Sequence, residues 1–214
     1  MASSLGAFAD ALAPRARERV RETLAWVAPH CDLEERLALI PPSARVRGIW
    51  SRILDRQLQD RGLYATYRER LPLTALRTLG FHPAGDLCVR AAVAGAIVAG
   101  PEELHRGMFE LSRDNAARFA SSLLGRTLVR VLAKDPSRLA QQAFASRRQT
   151  CNYGSWELVS SADREVRIKF RREYLWGESY LLGAATGTFA VFGDTVEVIA
   201  EMADRFNGMH IIRW

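Results

Sequence analysis

The sequence predicts an α+β fold: a helical N-terminal half packed on a small antiparallel sheet, with ββαββ order at the C-terminus. Three observations predict it. Helical apolar periodicity with Pro and Gly punctuation runs to about Arg147. A hairpin pattern follows over Tyr153–Arg172, where Val166, Ile168 and Phe170 alternate with Arg167, Lys169 and Arg171. A Gly-studded helix pattern, Trp176–Gly193, then leads into two further strand patterns before Trp214. Period-3.6 and period-2 stretches bury one face each, and their order defines the layers.

The elements follow in chain order. Leu5, Phe8 and Leu12 form a one-sided helical stripe. Pro14 opens a second helix carrying Val20, Leu24 and Val27, because proline suits a first helical turn. Asp32 and Glu35 have capping-box spacing for a short helix that Pro41-Pro42 ends. This break divides the chain into a helical extension, 1–42, and a single ligand-binding-like domain, 43–214. Ser43 caps a helix with Ile49, Trp50, Ile53, Leu54 and Leu58 that stops at Gly62. Tyr64–Gly85 reads as loop, and Asp86–Val98 as a mostly buried helix. Gly100-Pro101-Glu102-Glu103 starts a helix running to about Ala133, and Asp135-Pro136 starts another, to about Arg147.

In the hairpin, a three-residue loop Ser161-Ala162-Asp163 sets Trp156 opposite Ile168, Leu158 opposite Val166, and Glu157 opposite Arg167 on the outer face. Val196, Val198 and Ala200 form the third strand. Asn207-Gly208 marks a turn before the fourth, with Asp204-Arg205-Phe206 as an alternative wider loop.

Composition narrows the function. The formal charge is +6, and Lys134 and Lys169 are the only lysines. Such arginine usage often follows a GC-rich genome, so it weakly supports an acidic partner. There is no helix-turn-helix signature, and nucleic acid is not the expected partner. Cys31, Cys88 and Cys151 are widely spaced and odd in number, which suits a reduced, cytoplasmic protein. The most apolar run, Ala91–Ala99, is far below the ~20 residues a membrane span needs.

No Walker, GxSxG or HExxH pattern occurs, and the expectation is a non-enzyme. His30, His82, His105 and His210 lack partners at metal-ligand spacing. His105 near a helix start has a surface reading and a haem- or metal-ligand reading. Cys151 follows Arg147 and Arg148, yet a buried, unreactive thiol is the expectation. Aromatics gather where sheet and helix would meet. Trp156, Phe170, Tyr174, Trp176 and Tyr180, with the small face of Gly183 and Gly187, form the candidate ligand-binding set; Phe189 and Phe192 lie nearby. The plain alternative is a filled core, with the glycines packing closely on the sheet. Arg167, Lys169 and Arg171 form the candidate partner-binding strip.

Four short motifs support a family resemblance: Arg47-Gly48-Ile49-Trp50, Ser122-Leu123-Leu124-Gly125-Arg126, Asn152-Tyr153-Gly154 and Ile212-Arg213-Trp214. Their order and spacing resemble a large myxobacterial paralogous family of unknown function over roughly residues 45–214. The element order is also similar to vinyl-4-reductase ligand-binding domains, haem nitric-oxide-binding domains and TRAPP trafficking subunits. That resemblance implies small-molecule sensing or scaffolding between helices and sheet. No cysteine follows Cys151, as the vinyl-reductase type would require, and His105 lacks the haem type's supporting pattern. The expectation is therefore a regulatory or sensory module for an apolar or amphipathic ligand, without metal or haem. The alternative is a protein interaction module, homodimeric or with a protein partner.

Overall fold

The computed structural model describes residues 4–10, 12–121, 136–162, 164–190, 193 and 196–214. The chain divides into two compact units, 1–108 and 109–214. Among the described residues, no single helix is long and apolar enough to cross a membrane.

The first unit is built around α6 (Ala84–Ala99), buried at every position from Leu87 to Ala96. A helix apolar on all sides must be surrounded, and its neighbours follow from their own stripes. Helices α1 (Ser4–Asp10), α2 (Pro14–Val27) and α3 (Leu33–Leu39) bury Ala9, Val20, Leu24, Val27 and Leu33. Asp32 precedes α3 but does not close a capping box; it accepts a 2.7 Å hydrogen bond from buried Arg36 instead.

Helix α4 (Ile49–Asp60) begins after Gly48, not at Ser43. The intervening Arg45–Arg47 is a short strand, β1, paired with β2 (Phe81–Pro83) through Val46 and His82. Three residues carry too little alternation to reveal a strand. Gly48 is required there because an added Cβ would press on the Arg77 carbonyl. Gly62, at φ 70°, ends α4 as expected. The stretch expected as loop contains a further helix, α5 (Tyr64–Arg70), which buries Tyr67.

Pro101–Glu103 forms a 3-10 turn into α7 (Leu104–Ser121). The expected extension of this helix toward Ala133 lies outside the described residues. Within the first unit, Gly95 of α6 faces Gly107 of α7. A Cβ on Gly107 would sit 2.8 Å from the Gly95 carbonyl carbon and 3.0 Å from its Cα. Backbone cannot yield as a side-chain end can, so Gly107→Ala is expected to cost about 1–3 kcal/mol. Urea unfolding checks this; a loss below ~0.5 kcal/mol would place the two helices out of contact.

The second unit contains α8 (Pro136–Thr150), β3 (Ser155–Ala162), β4 (Glu165–Arg171), a π-helical turn (Gly177–Leu181), α9 (Leu182–Phe189), β5 (Glu197–Asp204) and β6 (Asn207–Arg213). The sheet is antiparallel in the order β3-β4-β6-β5, so the α+β class and the ββαββ order are borne out. Its core joins Ala140 and Phe144 of α8, Val166 and Ile168 of β4, Phe189 and Ile212.

The hairpin register differs from expectation by two residues. Trp156 stands opposite Phe170, Leu158 opposite Ile168, and Glu157 opposite Lys169. The pairing shifts between Leu158 and Ser160, leaving exposed Val159 as a bulge residue. A two-residue slip preserves faces, so the apolar side remains inward. Pairing continues to Ala162 and Glu165; Asp163 lies outside the described residues. Between β5 and β6 the pairing closes at Asp204 and Asn207, so Arg205-Phe206 is the turn and not Asn207-Gly208. Asp204 Oδ1 accepts from the Phe206 and Asn207 amides, at 2.8 and 3.0 Å.

Candidate functional site

A buried carboxylate organises one end of the second unit. Glu173, 2% exposed, follows β4 and is anchored by its amide to the Phe206 carbonyl. Its Oε2 accepts from Arg147 Nε at 2.7 Å and from Trp156 Nε1 at 3.0 Å. Arg147 Nη2 is 2.6 Å from the same oxygen but off the hydrogen-bond direction, so it adds charge contact only. Burial opposes the Arg147 charge, but Glu173, with Cys151 and Tyr153 beside it, raises its pKa. The guanidinium also lies 4.8 Å from the Tyr153 ring centroid. Tyr153 packs on Tyr174, which meets Phe206 edge-on. Burial, against the pull of Arg147, pushes the Cys151 thiol up, which disfavours a thiolate nucleophile.

A second group centres on His210, 2% exposed on the inward face of β6. Its Nε2 is 2.9 Å from the Gly177 carbonyl, and a carbonyl only accepts, so Nε2 carries the proton and Nδ1 the lone pair. Burial lowers the ring's pKa to about 4, keeping it neutral. Phe170 packs 5.0 Å away. A Cβ on Gly177 or Gly208 would collide with Phe170 and Met202, so this space is filled by side chains. Gly177 opens the π-helical turn, a departure from regular helix that often marks functional positions. Within that turn Tyr180 is buried, and burial alone raises its hydroxyl to about 12.

The predicted ligand set therefore divides. Trp156 and Phe170 share the inward sheet face. Tyr174 joins the Tyr153 and Phe206 rings instead. Trp176 is fully buried and Tyr180 is 7% exposed. Gly183 and Gly187 are both buried on α9. A Cβ on Gly183 would meet Ser112 Oγ and the Phe109 backbone, so this glycine packs on α7 and not on the sheet. Phe192 lies outside the described residues. Glu173 and His210 had no assigned role in the sequence reading. Alternation back from core-facing Ile212 places His210 inward, so its signal was present. Glu173 stands beside Tyr174-Leu175-Trp176, a weak sign of burial.

Arg167, Lys169 and Arg171 share the outward face, but carboxylates interleave with them. Arg167 Nε donates to Glu165 Oε1 at 2.6 Å, and Arg213 Nε to Glu165 Oε2 at 2.9 Å. These bonds lower the Glu165 pKa. Glu157 stands opposite Lys169, with Glu201 beyond Met209 on the same face. The strip is a mixed-charge ladder, not a run of unbalanced positive charge.

Among the described residues, no group of three or more His, Cys, Asp or Glu side chains could hold a metal ion. A histidine is one of the side chains that hold haem iron, beside Cys, Met and Tyr. His105 is half-buried on the first turn of α7, whose Leu104, Met108 and Leu111 are buried. His210 is neutral, with its Nε2 committed to Gly177.

Solved structures share the fold. A mutant H-NOX protein from K. algicida, in the Fe(II) unliganded form, aligns with a TM-score of 0.59 at 14% identity, covering 78% of this chain and 96% of that one. The unmutated protein gives 0.54 at 11% identity, with 78% and 95% covered. A structure probing haem distortion in the H-NOX family gives 0.57 at 13%, with 78% and 94% covered. At such identities the likeness concerns the fold. It corrects the expectation that excluded haem, because the structures sharing this architecture include haem proteins. No curated protein matches. The model of the family described as "Protein of unknown function (DUF2378)" matches residues 45–214, the span over which the sequence motifs indicated kinship, and the chain belongs to that family.

Proposed function

We propose that this chain is a sensory module that binds a small apolar or amphipathic ligand and does no chemistry on it. The observation that carries the reading is the fold likeness to H-NOX proteins across nearly their whole length. The buried aromatic residues of the second unit and its π-helical turn suit such a ligand. Haem is one candidate, supported by the fold likeness alone. When bound, a haem would supply an iron centre for a further small ligand. The setting proposed is the cytoplasm, with a protein partner or a second copy reading the bound state.

A specific observation favours a second reading, an interaction module with a filled core. Phe170 and Met202 already occupy the space beside Gly177 and Gly208. Native mass spectrometry and absorption spectroscopy of the purified full chain separate the two. A retained small-molecule mass is expected, and a Soret band would identify it as haem. A clean apo mass that takes up neither added haemin nor a hydrophobic dye would overturn the sensory reading.

A further inference from the structure

In the first unit, an exposed apolar point is held out by a turn that several hydrogen bonds fix. Leu79 is 75% exposed and Phe81 48% exposed. The Gly80 amide donates to the Arg77 carbonyl at 3.0 Å, closing a turn with Thr78 and Leu79 at its tip. His82 Nε2 lies 3.1 Å from the same carbonyl. Arg47 Nη1 donates to the Leu79 carbonyl at 2.9 Å, and the Gly48 amide to the Gly80 carbonyl at 3.0 Å. The Arg47 guanidinium also lies 4.7 Å from the centroid of the Phe81 ring. Arg47 and Gly48, which open the first family motif, therefore hold this turn in place. A scattered exposed leucine needs no explanation, but two exposed apolar side chains on a braced turn mark a contact surface.

We propose that Leu79 and Phe81 are a peripheral docking point for a lipid bilayer rich in anionic phospholipid, with Arg47 and Arg77 meeting lipid phosphates. The ribbon and its turn carry charge of one sign. Arg47 pairs with Phe81 and Arg45 with Pro83, and side chains directly opposite one another share a face. Arg77, at the start of the turn, is exposed. Neither residues 43–51 nor residues 71–85 include an Asp or Glu. Asp86 feels the charge of Arg45, so the attraction is strongest at the Arg47 and Arg77 end. An apolar contact or a few basic residues alone hold a membrane only weakly, and the two act together. A turn tip is convex, so it offers no groove to an acidic peptide. Leucine gives a nucleic acid neither a stacking face nor a hydrogen bond. Hydrocarbon takes up both Leu79 and Phe81, and guanidinium groups suit phosphate.

Flotation of the full chain with lipid vesicles tests the surface. Vesicles of phosphatidylcholine mixed equally with phosphatidylglycerol are expected to carry the chain at low salt. Vesicles of phosphatidylcholine alone should bind it about 10-fold less or weaker still, because they lack the net negative charge. Added salt should weaken the binding, since exposed charges are screened. Leu79→Ser is expected to lower the partition about 10-fold or more, the worth of burying one leucine side chain. Arg77→Gln should lower it about 5-fold. Leu79 is exposed, so the circular dichroism and urea midpoint of Leu79→Ser should match the parent. A formal charge of +6 attracts anionic vesicles to any basic face, and Leu79→Trp separates that case. Relative to the parent, with its own five tryptophans, this variant should gain emission that shifts to the blue on mixed vesicles and is quenched by brominated phosphatidylcholine. No partition onto mixed vesicles, an unchanged partition in Leu79→Ser, or no added quenching in Leu79→Trp would overturn the proposal. So would a parent dimer that Leu79→Ser converts to monomer in analytical ultracentrifugation, which would assign the face to a second copy. None of these outcomes bears on retention of a small ligand.

Discussion

Replacing Glu173 by alanine is expected to cost about 3–5 kcal/mol of folding stability, the usual penalty for orphaning one member of a buried ion pair. The carboxylate is 2% exposed and Arg147 is 11% exposed, so neither charge can turn to water. Removal of Glu173 leaves the guanidinium uncompensated and Trp156 Nε1 without its acceptor. Against a total stability of ~5–15 kcal/mol, that loss is large. Glu173→Gln should cost less, because the amide oxygen still accepts a hydrogen bond. The double variant Glu173→Leu with Arg147→Met should recover much of the loss, since apolar residues of similar size carry no desolvation cost. Urea midpoints of the parent and the three variants measure this. A loss below ~1 kcal/mol in Glu173→Ala would show that water reaches the pair.

Acidification is expected to remove about 3 kcal/mol through His210 alone. In the fold its pKa is about 4, below an unfolded value near 6.5. The unfolded chain therefore takes up a proton first, and stability falls as the pH drops from ~6.5 toward 4. Above ~6.5 the contribution is complete, and below 4 nothing more is lost from this group. Burial raises Asp55 and Asp86, which act in the opposite direction, so comparison with a variant isolates the histidine. His210→Gln should be less stable at pH 7 but show a shallower acid slope. Parallel slopes for parent and variant between pH 6.5 and 4 would mean that the imidazole reaches solvent. The local reason for the low pKa is a ring enclosed beneath Phe170, against whose effect the hydrogen bond to the Gly177 carbonyl acts.

Both residues mark where sequence reading meets its limit. Alternation is a local property, so Val166, Ile168 and Phe170 were assigned inward and Arg167, Lys169 and Arg171 outward from the sequence alone. Register is not local: it depended on a bulge at Val159 that no residue type announces. Short elements escaped for a related reason. β1 exists because Val46 has His82 to pair with, and Gly48 matters because the Arg77 carbonyl lies against it.

By itself, the sequence determined the α+β class, the ββαββ order, the buried helix α6 and the family. Each follows from periodicity, from Pro and Gly punctuation, or from motifs contiguous in the chain. Tertiary structure alone decided the partners of the polar groups. Arg147 meets Glu173 across 26 residues, and His210 meets Gly177 across 33. Asp55 of α4, Tyr67 of α5 and Arg90 of α6 act on one another only because three helices pack together. A buried charge or imidazole takes its chemistry from whatever the fold places beside it, and that placement depends on contacts between segments far apart in the chain.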